Sequence, residues 1–124
     1  MQEVKMVALD FYEYPSCGTC RKAKKWLEEH NKDINSIHIV EETPDKETLK
    51  ALYEKSGLEL KKFFNTSGQK YRELQLKDKL PAMSEDEQLE LLASNGMLIK
   101  RPITTDGKRV TVGFNEDTFK SVWK

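Results

Sequence analysis

The chain is short of the residues that would make several functions easy to assign. Among its 124 residues are only two cysteines and two histidines. His30 and His38 do not stand at finger-type spacing from Cys17 and Cys20, so the sequence lacks a zinc-ligand set. There is no apolar run near the roughly 20 residues that a membrane span needs. The first ten residues, MQEVKMVALD, lack the charged start and apolar block of a secretory signal. The expected location is therefore cytoplasmic, a reducing setting in which structural disulfides are rare. Net charge is zero and the basic residues are spread along the chain, so no basic face for direct nucleic-acid binding stands out. Docking onto another protein that binds DNA stays open.

What remains is a polar-surfaced chain, 37% hydrophobic and 34% charged, of a length suited to one domain. Val7, Leu9 and Phe11 alternate with Ala8, Asp10 and Tyr12, which predicts a strand over 6–13, ended by Pro15. From Gly18 the period changes. Ala23, Trp26, Leu27 and His30 recur at offsets of three, four and seven, one face of a helix. Residues 34–41 read as a second strand through Ile37 and Ile39. The three elements form a βαβ unit, expected to be parallel and right-handed.

The middle reads as helical. Thr43 and Pro44 look like an N-cap followed by proline at the first helical position, and Gly57 fits the stop. Residues 60–64, LKKFF, read as a short helical turn before the polar loop NTSG. Ser84 and Glu87 form a capping box ahead of Leu89 and Leu92. Residues 97–99 are expected to start a strand, and 103–105 either continue it or pair with 109–113. Asp106-Gly107 predicts a two-residue type I′ hairpin turn. Asn115 caps a last helix with Phe119, Val122 and Trp123 inward. This order matches an α/β thioredoxin-like core of residues 1–42 and 96–124, a mixed four-stranded sheet with a helical insertion at 43–95.

The chemistry concentrates in YPSCGTCRKAKKWLEEH, residues 14–30. Cys17 falls at or just before an N-cap and Cys20 in the first turn, where unpaired amides and the helix dipole favour an anion. The Cys17 thiol should then ionise below the free value of about 8.5. Gly18 and Thr19 are small and leave the sulfur accessible. Cys20 can close a disulfide onto Cys17, so one sulfur can attack and the other resolve. Spacing, position and the lack of other cysteines favour a redox-active centre over two incidental thiols. Arg21, Lys22, Lys24 and Lys25 stand at the helix end that disfavours cations. The lysines read as a solvated face, offset in part by Glu28 and Glu29. Arg21 reads equally as solvated or as meant for an anion.

Four stretches together resemble the arsenate reductase (ArsC)/Spx family, in its C-x-x-C branch: FYEYPSCGTCRKAKKWLEEH, FFNTSGQKYREL, LLASNGMLIKRPI and VGF, in family order along nearly the whole chain. The resemblance implies a thioredoxin-like fold with a helical insertion, and close members are described as arsenate reductases or Spx/MgsR-type proteins. It implies Cys17 as the catalytic nucleophile, Cys20 as the resolving thiol and Arg101 as an arginine lining the oxyanion site. It makes Pro102 the cis-proline facing the active cysteine. Gly18, Thr19, Arg21, Asn65 and Pro102 become expected substrate contacts. Asn65, Thr66 and Ser67 line the cleft on this reading, or form a polar turn closed by Gly68. NTSG with Tyr71 and Arg72 also resembles a small glutathione-dependent thiol reductase-like branch, while Tyr71 and Trp26 read as packing residues.

The departures from the family shape the expected activity. The glutaredoxin-linked arsenate reductases place three arginines around the oxyanion; here Asn65 stands for one, Val112 lies near another, and Arg109 is out of register. Those enzymes carry serine where this chain has Cys20. The expectation is a thiol–disulfide oxidoreductase with no bound cofactor or metal, acting on a small oxyanion or disulfide. An external thiol system, glutathione with glutaredoxin or thioredoxin, would regenerate it. The alternative is an Spx-type redox-switched transcriptional regulator, with the RNA polymerase α subunit as partner and no direct nucleic-acid or membrane contact.

Overall fold

In the computed structural model, which describes residues 8–124, four strands form one mixed sheet in the order β2-β1-β3-β4. The strands are β1 (Leu9–Glu13), β2 (Ile34–His38), β3 (Ile103–Thr105) and β4 (Val110–Val112). β1 pairs parallel with β2 and antiparallel with β3, and β3 pairs antiparallel with β4. The helices are α1 (Gly18–Glu29), α2 (Lys46–Ser56), α3 (Gln69–Glu73), α4 (Leu76–Lys79), α5 (Glu85–Ser94) and α6 (Glu116–Val122). The expected α/β class, with β1-α1-β2 as a parallel unit, is what the chain adopts. Residues 6 and 7 of the expected first strand lie outside the described residues.

The two faces of β1 explain the layering. Leu9 and Phe11 point to one side, where Ala23, Trp26 and Leu27 of α1 meet Phe119 of α6 and Trp123. Tyr12 points to the other, into a larger core built from α2, α5, the turns between them and the segment after α5, including Leu49, Leu52, Phe63, Phe64, Leu89, Leu92 and Ile99. Period-two alternation in one strand thus sets two apolar cores on opposite faces. Trp26 and Tyr71 are both buried in packing.

Five local expectations are corrected. β2 stops at His38, because the His38 Nδ1 accepts from the amides of Val40 and Glu41 (3.2 and 3.1 Å) and turns the chain. Asp45, not Thr43, caps α2: its carboxylate accepts from the Thr48 amide at 2.8 Å, and a charged acceptor suits the positive helix end. The Thr43 hydroxyl instead donates to the carbonyls of Ile39 and Val40. Residues 97–99 are not a strand; Gly96–Leu98 is a 3-10 turn, with Asn95 Oδ1 accepting from the Met97 amide at 2.9 Å. Only Ile99 makes a β-bridge there, to Phe64. The β3–β4 connection is a four-residue loop, 106–109, rather than a type I′ turn. Gly107 has φ +94°, but Asp106 keeps negative φ and uses its carboxylate to accept from the Lys108 and Arg109 amides.

The fifth correction concerns α1. Lys24 pairs with Glu13 of β1 at 3.6 Å, rather than with the glutamates one turn on. The capping box at Ser84 and Glu87, the left-handed Gly57 and the Asn115 cap are all present.

Candidate active site

The site forms where β1 ends and α1 begins. After Glu13 the chain turns through Tyr14 and Pro15, and the Cys17 amide donates to the Tyr14 carbonyl at 3.0 Å. This turn sets Cys17 as the N-cap of α1, with extended backbone (φ −87°, ψ 112°). A serine or aspartate in that place would accept a hydrogen bond from an amide of the first turn. Here the sulfur does so: the Cys20 amide donates to Cys17 Sγ at 3.2 Å. The first turn carries no acidic residue to compete for those amides.

Burial divides the two thiols. Cys17 is partly exposed and Cys20 is fully buried, and both are free. Burial raises the Cys17 thiol, but hydrogen bonds from the Cys20 side chain and amide, then the Arg101 guanidinium, outweigh it and bring the thiol below its ordinary value. Burial raises Cys20, its hydrogen bond to Cys17 adds to this, and the thiol is pushed up to about 12. The two shifts run in opposite directions, so Cys17 ionises before Cys20 and Cys20 keeps its proton longer.

Arg101 and Pro102 complete the wall. The Arg101–Pro102 peptide is cis, Pro102 is buried, and its carbonyl accepts from the Gly113 amide at 2.7 Å. The Arg101 guanidinium carbon lies 5.0 Å from the centre of the Tyr14 ring. Its Nη1 is buried without a protein partner. A cation held over an aromatic face with an unmet donor can serve an anion beside the thiolate.

The structure thus brings Cys17, Cys20 and Arg101 together, with Pro102 joined to Arg101 by the cis peptide and with Gly18 and Thr19 exposed on the first turn. A methyl group on Gly18 would meet nothing within 4 Å, so the approach to the sulfur is open there. Arg21 is exposed and makes no ion pair among the described residues; it lines a side cleft of about 490 Å³ with Pro15, Lys24 and His38. The Asn65 backbone amide donates to the Leu98 carbonyl at 2.8 Å, and its side chain packs so closely on Gly68 that a Cβ there would sit 2.6 Å from Asn65 Nδ2. That contact closes the 65–68 loop. Arg109 lies at the far end of the sheet, bonded to Asp106 and to the Val122 carbonyl. Tyr14 joins the site through its contact with Arg101, and its one signal in the sequence is an aromatic three residues before the first cysteine. Among the described residues no group of three His, Cys, Asp or Glu could hold a metal ion, and no helix is long and apolar enough to cross a membrane.

The family model described as "ArsC family" matches residues 12–122, nearly all of the chain. The chain belongs to the ArsC family. The crystal structure of an ArsC family related protein from Bacteroides fragilis superposes with TM-score 0.90 at 48% identity, over 94% of this chain and 98% of that one. The thioredoxin-like ArsC fold expected from the sequence is therefore the fold found. The uncharacterised protein YusI of Bacillus subtilis is 76% identical over 94% of this chain and 99% of its own length. The regulatory protein MgsR of the same organism is 37% identical over 86% of this chain and 83% of its own.

Proposed function

We propose that this ArsC-family chain is a thiol–disulfide oxidoreductase. The observation that carries the reading is the division of labour within the pair, an accessible Cys17 thiolate bonded to the Cys20 amide and a buried, protonated Cys20. Cys17 attacks one sulfur of a substrate disulfide. The substrate S–S bond breaks, and the departing thiolate takes a proton from solvent. A mixed disulfide on Cys17 remains. The negative charge that held the Cys20 proton is then gone. Cys20 loses its proton and attacks Cys17, releasing the second substrate thiol. Two electrons have passed to the substrate, and the protein holds a Cys17–Cys20 disulfide. An external dithiol, of the thioredoxin or glutaredoxin class, restores it.

Arg101 stabilises the thiolate and any anionic leaving group by charge-assisted hydrogen bonding. With one arginine at the sulfur, where the arsenate enzymes are expected to use three, arsenate is a poor substrate. The test is turnover of hydroxyethyl disulfide and of arsenate by the purified protein, coupled to thioredoxin or glutaredoxin. Hydroxyethyl disulfide turnover that vanishes in Cys17→Ser supports the reading; full turnover in that variant overturns it.

The similarity to MgsR supports a second reading, a redox-switched regulator that docks on the RNA polymerase α subunit. A pull-down with that subunit, oxidised against reduced, separates the two. Binding in one redox state alone supports the regulator, and binding in neither state removes it.

A further inference from the structure

A second cleft opens at the same end of the sheet as Cys17, on the β4 side. It has a volume of about 500 Å³. Its floor is Phe64 and Val112, and its rim carries Lys61, Lys62 and Lys100 against a single carboxylate, Glu59. None of the three lysines makes an ion pair among the described residues. This concentration of unpaired positive charge stands on a chain whose net charge is zero. Leu58, also on the rim, is one of two large apolar side chains left exposed among the described residues.

The cleft is tied to the thiol site through the backbone. The Lys100 amide donates to the Phe63 carbonyl at 2.7 Å, and Phe64 bridges Ile99. The next residue is Arg101, whose charge acts on Cys17. Among the described residues β4 is the last strand of the sheet, so an extended segment entering at Val112 runs along the sheet's edge strand. An apolar floor, a cationic rim and a position at the sheet's edge fit a polypeptide better than a compact metabolite, which favours an enclosed apolar pocket.

We propose that this cleft receives an acidic, extended segment of a polypeptide substrate and presents its disulfide to Cys17. The proposal rests on the thiol–disulfide reading and specifies its substrate. Aspartate or glutamate side chains meet Lys61, Lys62 and Lys100, and an apolar side chain covers Leu58. Cys17 then attacks the segment's disulfide, its S–S bond breaks, and the leaving thiolate is protonated by solvent. Cys20 resolves the mixed disulfide, so two electrons pass from the cysteine pair to the substrate. Steering by such a patch acts on encounter and weakens with salt.

The test uses the full chain, reduced, and a heptapeptide with a central cysteine, two leucines and four aspartates, activated as its 2-pyridyl disulfide. Controls are the same peptide with asparagines, neutral hydroxyethyl disulfide, and a small dicarboxylate disulfide. Release of 2-thiopyridone or thiol gives the rate. At low salt the acidic peptide should react about tenfold faster than the asparagine peptide, within the range of electrostatic steering. That ratio should fall to near one in Lys61→Glu/Lys62→Glu/Lys100→Glu and in 0.5 M salt, with hydroxyethyl disulfide unaffected by the substitutions. Equal peptide rates in the wild type, or a preference that survives the substitutions, would overturn the cleft. An equal preference for the small dicarboxylate would overturn the polypeptide. Anisotropy of a fluorescein-labelled acidic peptide on Cys17→Ser reads the cleft without chemistry: binding lost in the lysine variant supports it, no binding overturns it. Failure of the redox reading would show separately, as absent hydroxyethyl disulfide turnover.

Discussion

The Arg101 guanidinium carbon sits 5.0 Å from the centre of the Tyr14 ring, and both residues adjoin Cys17, Arg101 through its charge and Tyr14 through its carbonyl. The ring holds the cation by its face and not by a hydrogen bond, which leaves the buried Nη1 without a protein partner. Tyr14 in turn meets His38 edge-on at 5.6 Å. A residue outside the C-x-x-C motif thereby packs against the cation whose charge acts on Cys17.

Tyr14→Ala should raise the Cys17 ionisation midpoint and slow its alkylation at pH 7 several-fold, since a cation–π contact is worth about 0.5–2 kcal/mol. Tyr14→Phe keeps the ring and should behave as the wild type. The pH profile of iodoacetamide labelling checks both. A merely structural Tyr14 would leave the midpoint unmoved in either variant.

Cys20→Ala removes the thiol that donates to Cys17 while leaving the amide. The Cys17 midpoint should move up toward the ordinary thiol value, because one of the bonds lowering it is lost. With no resolving sulfur, a mixed disulfide on Cys17 should accumulate at one per chain, seen by mass spectrometry. Rapid release of both substrate thiols by this variant would contradict the resolving role.

Asp106 is held down to about 2: burial opposes this, but the amides of Arg109 and Lys108 and the Arg109 side chain outweigh it. The folded pKa lies below the unfolded one. The carboxylate therefore stabilises the fold above about pH 4, and that contribution is lost as pH falls through 2. Asp106→Asn should lower Tm by a few degrees at pH 7, with the gap to the wild type closing near pH 2. The Trp123 signal reports it locally, since Arg109 stacks on that ring at 5.1 Å.

Two glycines separate packing from approach. A Cβ on Gly96 would lie 2.1 Å from the Ile39 carbonyl oxygen, which is backbone and cannot swing away. Gly96→Ala should cost about 1–3 kcal/mol by overpacking, measured by urea unfolding. Gly18→Ala meets nothing within 4 Å and should not destabilise.

The residues show which features the sequence exposes. Those that act through their own neighbours were legible: the βαβ periodicity, the Ser84 capping box, and Cys17 at or just before the N-cap of α1. Turns decided by competition were not. Thr43, Asp45 and Pro44 all suit a helix start, and only the charge on Asp45 decides it. Asp106-Gly107 has the composition of a tight hairpin, yet the Asp106 carboxylate closes a longer loop. Gly96 looks like a helix stop, while its role is to admit the Ile39 backbone, a contact between segments far apart in sequence. Asn65 and Tyr14 are of the same kind: one is engaged at Gly68 and the other placed against Arg101, and neither fact is written in local spacing.

The central claim is that Cys17 is the standing thiolate and Cys20 its protonated partner. Alkylation of the reduced full chain across pH 4–11, resolved by peptide mass spectrometry, tests it most directly. The account predicts that Cys17 is modified first and rapidly, with a midpoint below the ordinary thiol value, and that Cys20, buried and pushed up to about 12 while Cys17 is free, is labelled only later and more slowly. Both sulfurs titrating together at that ordinary value, or Cys20 reacting first, would contradict it.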